Sequence, residues 1–82
     1  MKITLYEDEV DKLEKAGLVT LDDEVEDRVI EFEKAEDAWK MTIYFTAVDD
    51  FLEVSYHACA TLVVPEEMVE KYITAVGRVF ER

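Results

Sequence analysis

The 82-residue sequence predicts a single α+β domain, in which an antiparallel β-meander of three to four strands carries an N-terminal and a C-terminal helix. The predicted element order is α-β-β-β-α. Near both termini, apolar residues recur at three- and four-residue spacing, as in helices that bury one face. Between them, apolar and polar residues alternate, as in strands with one buried face, and the short links indicate antiparallel neighbours. Residues 1–82 have room for one core, so we expect one domain.

The first helix is predicted from about Leu5 to Ala16. Thr4 and Glu7 have the spacing of a capping box, in which side chains satisfy free amides at a helix start. Gly17 follows at the position where a left-handed residue ends a helix. The apolar stripe of this helix consists of Ile3, Tyr6, Val10 and Leu13.

The segment between residues 18 and 34 fits two interpretations. Ile30 and Phe32 alternate with less apolar neighbours, which indicates a strand. Val25, Val29 and Phe32 also fall at helical spacing, but a helix would bring several carboxylates four residues apart into repulsive pairs. We therefore favour the strand over the helix.

Two alternating stretches follow, and each predicts a strand. The first runs from Trp39 to Val48, and the second from Leu52 to Leu62. Asp49 and Asp50 lie between them and predict a turn, because aspartate side chains hydrogen-bond their own backbone there. The apolar face of the second stretch comprises Leu52, Val54, Tyr56, Ala58, Ala60 and Leu62, and its other face comprises Glu53, Ser55, His57, Cys59 and Thr61.

The last helix is predicted to begin at Pro65, whose fixed φ suits a first helical turn. Gly77 lies beside its apolar stripe, where we expect it to mark close approach of helix and sheet. The stripe consists of Val69, Tyr72, Ile73, Val76, Val79 and Phe80.

Composition excludes several classes of function. The chain has 21 acidic and 9 basic residues and a net charge of −12, which disfavours direct binding to nucleic acid or to an anionic membrane. Cys59 is the single cysteine, so no intrachain disulfide is expected. The N-terminus turns acidic too early for a signal peptide, and no apolar run is long enough to span a bilayer. We expect a cytoplasmic protein.

No catalytic, metal or cofactor site is predicted. His57 and Cys59, with Glu53, are the best candidates for a metal site or for a thiolate and its base, but the chain has only one histidine and one cysteine. The acidic run of residues 22–27 has no glycine for a calcium loop. The two glycines of the chain are sixty residues apart and cannot form a phosphate-binding loop. We therefore expect no enzyme.

The acidic residues are concentrated in one part of the chain. Residues 1–38 contain 14 acids and 5 bases, so they carry three quarters of the net charge. Nine acids in two runs have no base between them within a run, and we predict that they form a partner-binding surface. These residues are Glu7, Asp8, Glu9, Asp11, Asp22, Asp23, Glu24, Glu26 and Asp27.

With these acidic runs on a small, cysteine-poor α+β chain, the sequence resembles phage-encoded acidic inhibitors, which include DNA mimics and many anti-CRISPR proteins. The element order is similar to that of an acidic inhibitor of a CRISPR nuclease. The resemblance implies a stoichiometric inhibitor in the host cytoplasm. Such a protein blocks a basic nucleic-acid-binding protein, such as a CRISPR effector, by mimicking the charge of DNA or RNA.

Other functions fit the same sequence. The chain can be an acidic interaction module with a different basic partner, or a small structural subunit, monomeric or homodimeric through an exposed edge strand. Its charge can also serve solubility or a halophilic environment alone. In that case Tyr44, on the outward face of its strand, becomes the alternative anchor for a partner.

Overall fold

A computed structural model describes residues 1–22 and 25–81, which form two helices and one four-stranded antiparallel sheet. The strands lie side by side in chain order, so the α+β class and the meander are confirmed. The elements are β1 (Lys2–Leu5), α1 (Glu7–Lys15), β2 (Val25–Ala35), β3 (Ala38–Asp49), β4 (Val54–Val64) and α2 (Glu66–Ala75). Neither described helix is long and apolar enough to cross a bilayer.

The strand β1 was not predicted, because its residues were assigned to the start of the first helix. Ile3 pairs with Phe32 and Leu5 with Ile30, so this segment completes the edge of the sheet and buries Leu5. The helix α1 consequently begins later than expected. The backbone N–H of Tyr6, and not Thr4, takes part in the cap by donating to the Glu9 carboxylate at 3.2 Å.

The segment that fitted two interpretations is a strand, β2, and it contains a bulge. The register shifts between Glu26 and Val29, where Asp27 adopts a left-handed φ of 52°. Because the bulge adds one residue, Val25 before it and Ile30 after it lie on the same face of the sheet.

Both helices pack on this face, and the core lies between them and one half of the sheet. The Tyr72 hydroxyl donates to the Leu18 carbonyl oxygen at 2.8 Å and ties α2 to the segment after α1. The buried apolar residues are Leu5, Val10, Leu13, Val19, Ile30, Phe32, Trp39, Met41, Val64, Val69, Tyr72, Ile73 and Val76.

The other half of the sheet extends beyond the helices. α1 and α2 have 9 and 10 residues, hence lengths of about 14 and 15 Å, whereas β3 with 12 residues is about 40 Å long. The molecule therefore measures 45 × 26 × 15 Å, longer than the diameter of about 30 Å expected for a compact chain of this size. The apolar face of β4 lies on the helix side, yet Tyr56 and Leu62 are 57% and 55% exposed.

Each helix ends at a glycine in the left-handed conformation. Gly17, with φ of 74°, ends α1 as predicted. From its place beside the apolar stripe, Gly77 was expected to lie within the last helix, close to the sheet. It lies instead after that helix. It has φ of 87° and ends α2, with the Arg78 N–H donating to the Ile73 carbonyl oxygen at 3.1 Å. The predicted stripe was therefore too long, and Phe80 packs against Trp39 from beyond the helix.

The replacement Gly77→Ala tests this helix end. No atom lies within 4 Å of the position that a Cβ would occupy, so the cost comes from the backbone conformation alone. We expect a loss of about 1–2 kcal/mol in the free energy of unfolding, measured with urea, and a smaller loss for Gly77→Asn. Equal losses for the two variants would contradict this account.

Candidate partner-binding surface

The structure describes seven of the nine residues predicted to bind a partner. Asp23 and Glu24 lie outside the described residues. The seven are Glu7, Asp8, Glu9 and Asp11 on α1, with Asp22, Glu26 and Asp27 around the start of β2. Some of these seven carboxylates form ion pairs within the molecule, and the others face solvent.

Two of the seven belong to a cluster around Arg28 of β2. Glu7, Asp11 and Glu14 follow one another on one face of α1, and all three bind the Arg28 guanidinium. The Arg28 Nε donates to Glu7 at 2.8 Å, and the Arg28 side chain is only 11% exposed. Hydrogen bonding to Glu7 is the main reason that the pKa of Arg28 is raised. This cluster joins the helix to the sheet, so part of the predicted surface has a structural role.

Glu9 forms a second internal ion pair, with Arg78 just after α2. The Arg78 Nε and Nη2 donate to the two carboxylate oxygens of Glu9, each at 2.7 Å, in a bidentate arrangement. The hydrogen bonds from Arg78 are the main cause that lowers the pKa of Glu9 below its ordinary value. Nothing in the sequence indicated this pair, because Glu9 and Arg78 are 69 residues apart. Asp8 is exposed on α1, on the side of Arg78, and does not join the remaining acids.

Asp22, Glu26 and Asp27 meet residues from elsewhere at one end of the sheet. Here β2 begins, β3 ends and β4 begins, because the strands are antiparallel and Val25 pairs with Ala47 while Asp49 pairs with Val54. We name this region the acidic end. Within the described residues it contains six acids, which are Asp22, Glu26, Asp27, Asp49, Asp50 and Glu53. The base next to them in the described chain is Arg28 of β2, whose guanidinium binds carboxylates of α1.

Three of these residues were missed from the sequence. Asp49, Asp50 and Glu53 lie more than twenty residues after Glu26. Asp49 and Asp50 were predicted only as a turn, and Glu53 was placed on the strand that follows, whereas β4 begins at Val54. The signal that could have found them was the predicted meander itself, since an antiparallel hairpin returns its turn to the end where the preceding strand began. Asp49 also shapes the turn, because one of its carboxylate oxygens accepts from the Leu52 N–H at 3.0 Å.

Large apolar side chains adjoin the acidic end. Phe51, at the tip of the turn between β3 and β4, is 93% exposed, and Leu52 beside it is 61% exposed. Val54 and Tyr56 continue this exposed surface along β4. Apolar and aromatic groups ringed by charge are typical of protein interfaces, where a few such anchors supply most of the affinity.

A chain of hydrogen bonds also crosses the sheet near this end. The Thr46 hydroxyl donates to the Asp27 carboxylate and contacts His57 Nδ1, each at 3.3 Å. A nucleophile in a hydrolase triad lies at one end of such a chain, with histidine in the middle, whereas here threonine is in the middle. The described residues form no pocket and no cluster of three potential metal ligands. We interpret these hydrogen bonds of Thr46 as support for the bulge at Asp27.

Comparison of the chain with models of protein families, with curated proteins and with solved structures gave no match.

The replacement Arg28→Met tests the cluster that joins α1 to β2. It removes the charge but keeps an unbranched side chain, so three carboxylates on α1 lose their shared partner. Because Glu7 and Asp11 are half-exposed, we expect a modest loss of about 1–2 kcal/mol in unfolding free energy. Lys15→Met removes the same charge from an exposed position of α1 and should cost less than about 0.5 kcal/mol. Equal losses would show that only net charge matters.

The pair of Glu9 with Arg78 predicts a pH dependence of stability. Since the pKa of Glu9 is lowered on folding, its contribution is complete above its ordinary value of 4.5 and is lost as the pH falls through the folded-state value. Glu9→Gln should therefore be less stable than the unmodified protein at neutral pH, and the difference should vanish in acid. Urea unfolding from pH 7 to pH 2.5 measures it, with Glu81→Gln as the control at an exposed position. A difference that persists in acid would contradict the assignment.

Proposed function

We propose that this protein is a non-enzymatic inhibitor that binds a basic nucleic-acid-binding protein, such as a CRISPR effector, in the host cytoplasm. The observation that carries the proposal is the convergence of acids at one end of the sheet. Two segments that are separate in the sequence contribute carboxylates there, one around the start of β2 and one in the turn between β3 and β4. Arg28, a base that lies next to them, is bound by three carboxylates of α1. A basic groove that normally holds phosphates is the complementary surface.

The charge density supports mimicry of one strand of nucleic acid better than mimicry of a duplex. A net charge of −12 along a 45 Å axis corresponds to about one charge per 4 Å. Duplex DNA carries one phosphate per about 1.7 Å of its axis, and each of its strands one per about 3.4 Å. We therefore infer that the site on the partner is a channel for single-stranded DNA or RNA.

The exposed side chains at the hairpin tip supply the second part of the interaction. Surface charges contribute little singly, about 0–1 kcal/mol each, so they set the association rate and the salt dependence. Phe51 and Leu52 can enter an apolar or aromatic-lined part of the partner's channel, where bases stack in the nucleic-acid complex. This combination favours an inhibitor over a chain whose charge serves solubility alone.

The alternative is an acidic module for a basic partner that does not handle nucleic acid. The same surface serves both functions, so the two are separated by competition. In the proposed function, a nucleic acid displaces the protein from its partner. In the alternative function, a single-stranded oligonucleotide displaces it no better than polyglutamate of equal charge.

A capture experiment with two matched variants tests the proposal. The immobilised protein is exposed to a bacterial lysate at low salt, and bound proteins are eluted with single-stranded DNA or with polyglutamate. We expect DNA to elute nucleic-acid-binding proteins selectively, and raised salt to weaken capture steeply. The first variant neutralises the acidic end through Asp22→Asn, Glu26→Gln, Asp50→Asn and Glu53→Gln.

The control variant makes the same change in charge at the opposite end of the molecule, through Glu36→Gln, Asp37→Asn, Glu67→Gln and Glu81→Gln. All eight positions are exposed, so both variants should fold. We expect capture to fall at least tenfold in the first variant and less than threefold in the control. Equal losses would mean that net charge alone matters. Unchanged capture in both would direct attention to Phe51 and Tyr44 instead.

A further inference from the structure

The strand β4 forms an edge of the sheet that lacks the usual protection against pairing. Its eleven residues pair with β3 without a bulge, and in the described residues no strand lies on its other side. The sequence from Val54 to Val64 contains no proline and no charged residue, in a chain of which 37% is charged. Edge strands are ordinarily kept apart by lysines, prolines, bulges or short length. The opposite edge, β1, follows this rule, being four residues long and carrying Lys2.

We propose that β4 pairs antiparallel with β4 of a second copy of this chain, giving a continuous eight-stranded sheet. The two-fold axis lies perpendicular to the sheet at Cys59. In this orientation the helices of both copies lie on the same face of the joined sheet. Side chains on that face of β4 therefore pair with side chains on the same face of the second copy.

Side-chain size supports this register. On the helix side of β4 the sequence of sizes reads the same in both directions, with two alanines at the centre and larger residues outside. Pairing about Cys59 places Tyr56 opposite Leu62 of the second copy, twice by symmetry. Both side chains are more than half exposed in the single chain, and aromatic–aliphatic pairs across strands stabilise a sheet.

Charge decides between a second copy and a different basic partner. Each copy has a net charge of −12, so two copies repel each other in most orientations. The strand β4 has no acidic residue, so two copies can meet along it without opposed carboxylates. A basic segment would instead be drawn to the acidic end. In the proposed register Glu53 lies opposite Pro65 of the second copy, next to Glu66 and Glu67, so some repulsion remains at both ends.

The expected dimer is weak. A strand of eleven residues is about 37 Å long, and a sheet edge about 10 Å thick then buries about 400 Å² on each copy. The total of about 800 Å² is below the 1,200 Å² of standard interfaces, which indicates a dissociation constant of about 10 µM or weaker. Because like charges oppose the pairing, added salt should strengthen it. The partner binding proposed above should weaken with salt, so the two proposals fail or succeed separately.

Sedimentation velocity tests the pairing at protein concentrations up to about 0.5 mM. We expect a monomer–dimer equilibrium that shifts at least twofold towards dimer at raised salt. Cys59→Lys places two ammonium groups opposite each other at the axis and should abolish the dimer. Thr74→Lys adds the same charge at an exposed position of α2 and should leave the dimer intact. A protein that stays monomeric overturns the proposal, as does a dimer that Cys59→Lys does not weaken.

Thiol cross-linking tests the register independently. Cys59 is exposed, and in the proposed dimer its α-carbon lies about 5 Å from its copy, within the range that a disulfide spans. A mild oxidant such as diamide should link most of the dimer through Cys59. In the double variant Ser55→Cys, Cys59→Ser the two thiols lie about 27 Å apart, and cross-linking should fall at least tenfold. Equal or faster cross-linking of the double variant overturns the register.

Discussion

The placement of α1 on the sheet depends on the guanidinium of Arg28. A helix with acids on three successive turns of one face would repel itself, and Arg28 offsets this by binding Glu7, Asp11 and Glu14 together. The bulge at Asp27 makes this geometry possible, because without the extra residue Arg28 would lie on the opposite face of the sheet from Val25. One irregular backbone position thus sets the direction of a charge, and that charge joins α1 to β2 beside the core contacts of Val10 and Leu13.

The difference in length between helices and strands determines the rest of the architecture. Helices of 9 and 10 residues cover only the half of the sheet that contains the core, and the hairpin of β3 and β4 extends past them. The acidic end and the exposed side chains of Val54 and Tyr56 lie on this uncovered half, whereas Leu62 is exposed at the sheet edge beside Met41 of the core. The apolar face of β4 therefore remains in solvent, although its alternation is that of a strand with a buried face.

The sequence contained most of the fold because the strand and helix periodicities are local. It predicted β3, β4, Gly17 and the strand nature of β2 correctly. It could not predict β1, because Ile3 and Leu5 fit a helical stripe until Phe32 and Ile30 are known to lie beside them. The candidate site was only partly predictable for the same reason. Runs of acids are visible in the chain, but their pairing with Arg28 and Arg78 and their meeting with the turn at residues 49–53 are products of tertiary structure.

The uncovered half of the sheet has a consequence for how this protein can vary. Backbone hydrogen bonds there are shielded by a single layer, so the distal hairpin should open locally at a lower free energy than the strands beneath the helices, and amide exchange should be graded along β3. Side chains in a region with few core contacts can also be replaced at little cost to the fold. The residues of the hairpin tip can thus be replaced without unfolding the domain, because the half under the helices keeps it folded.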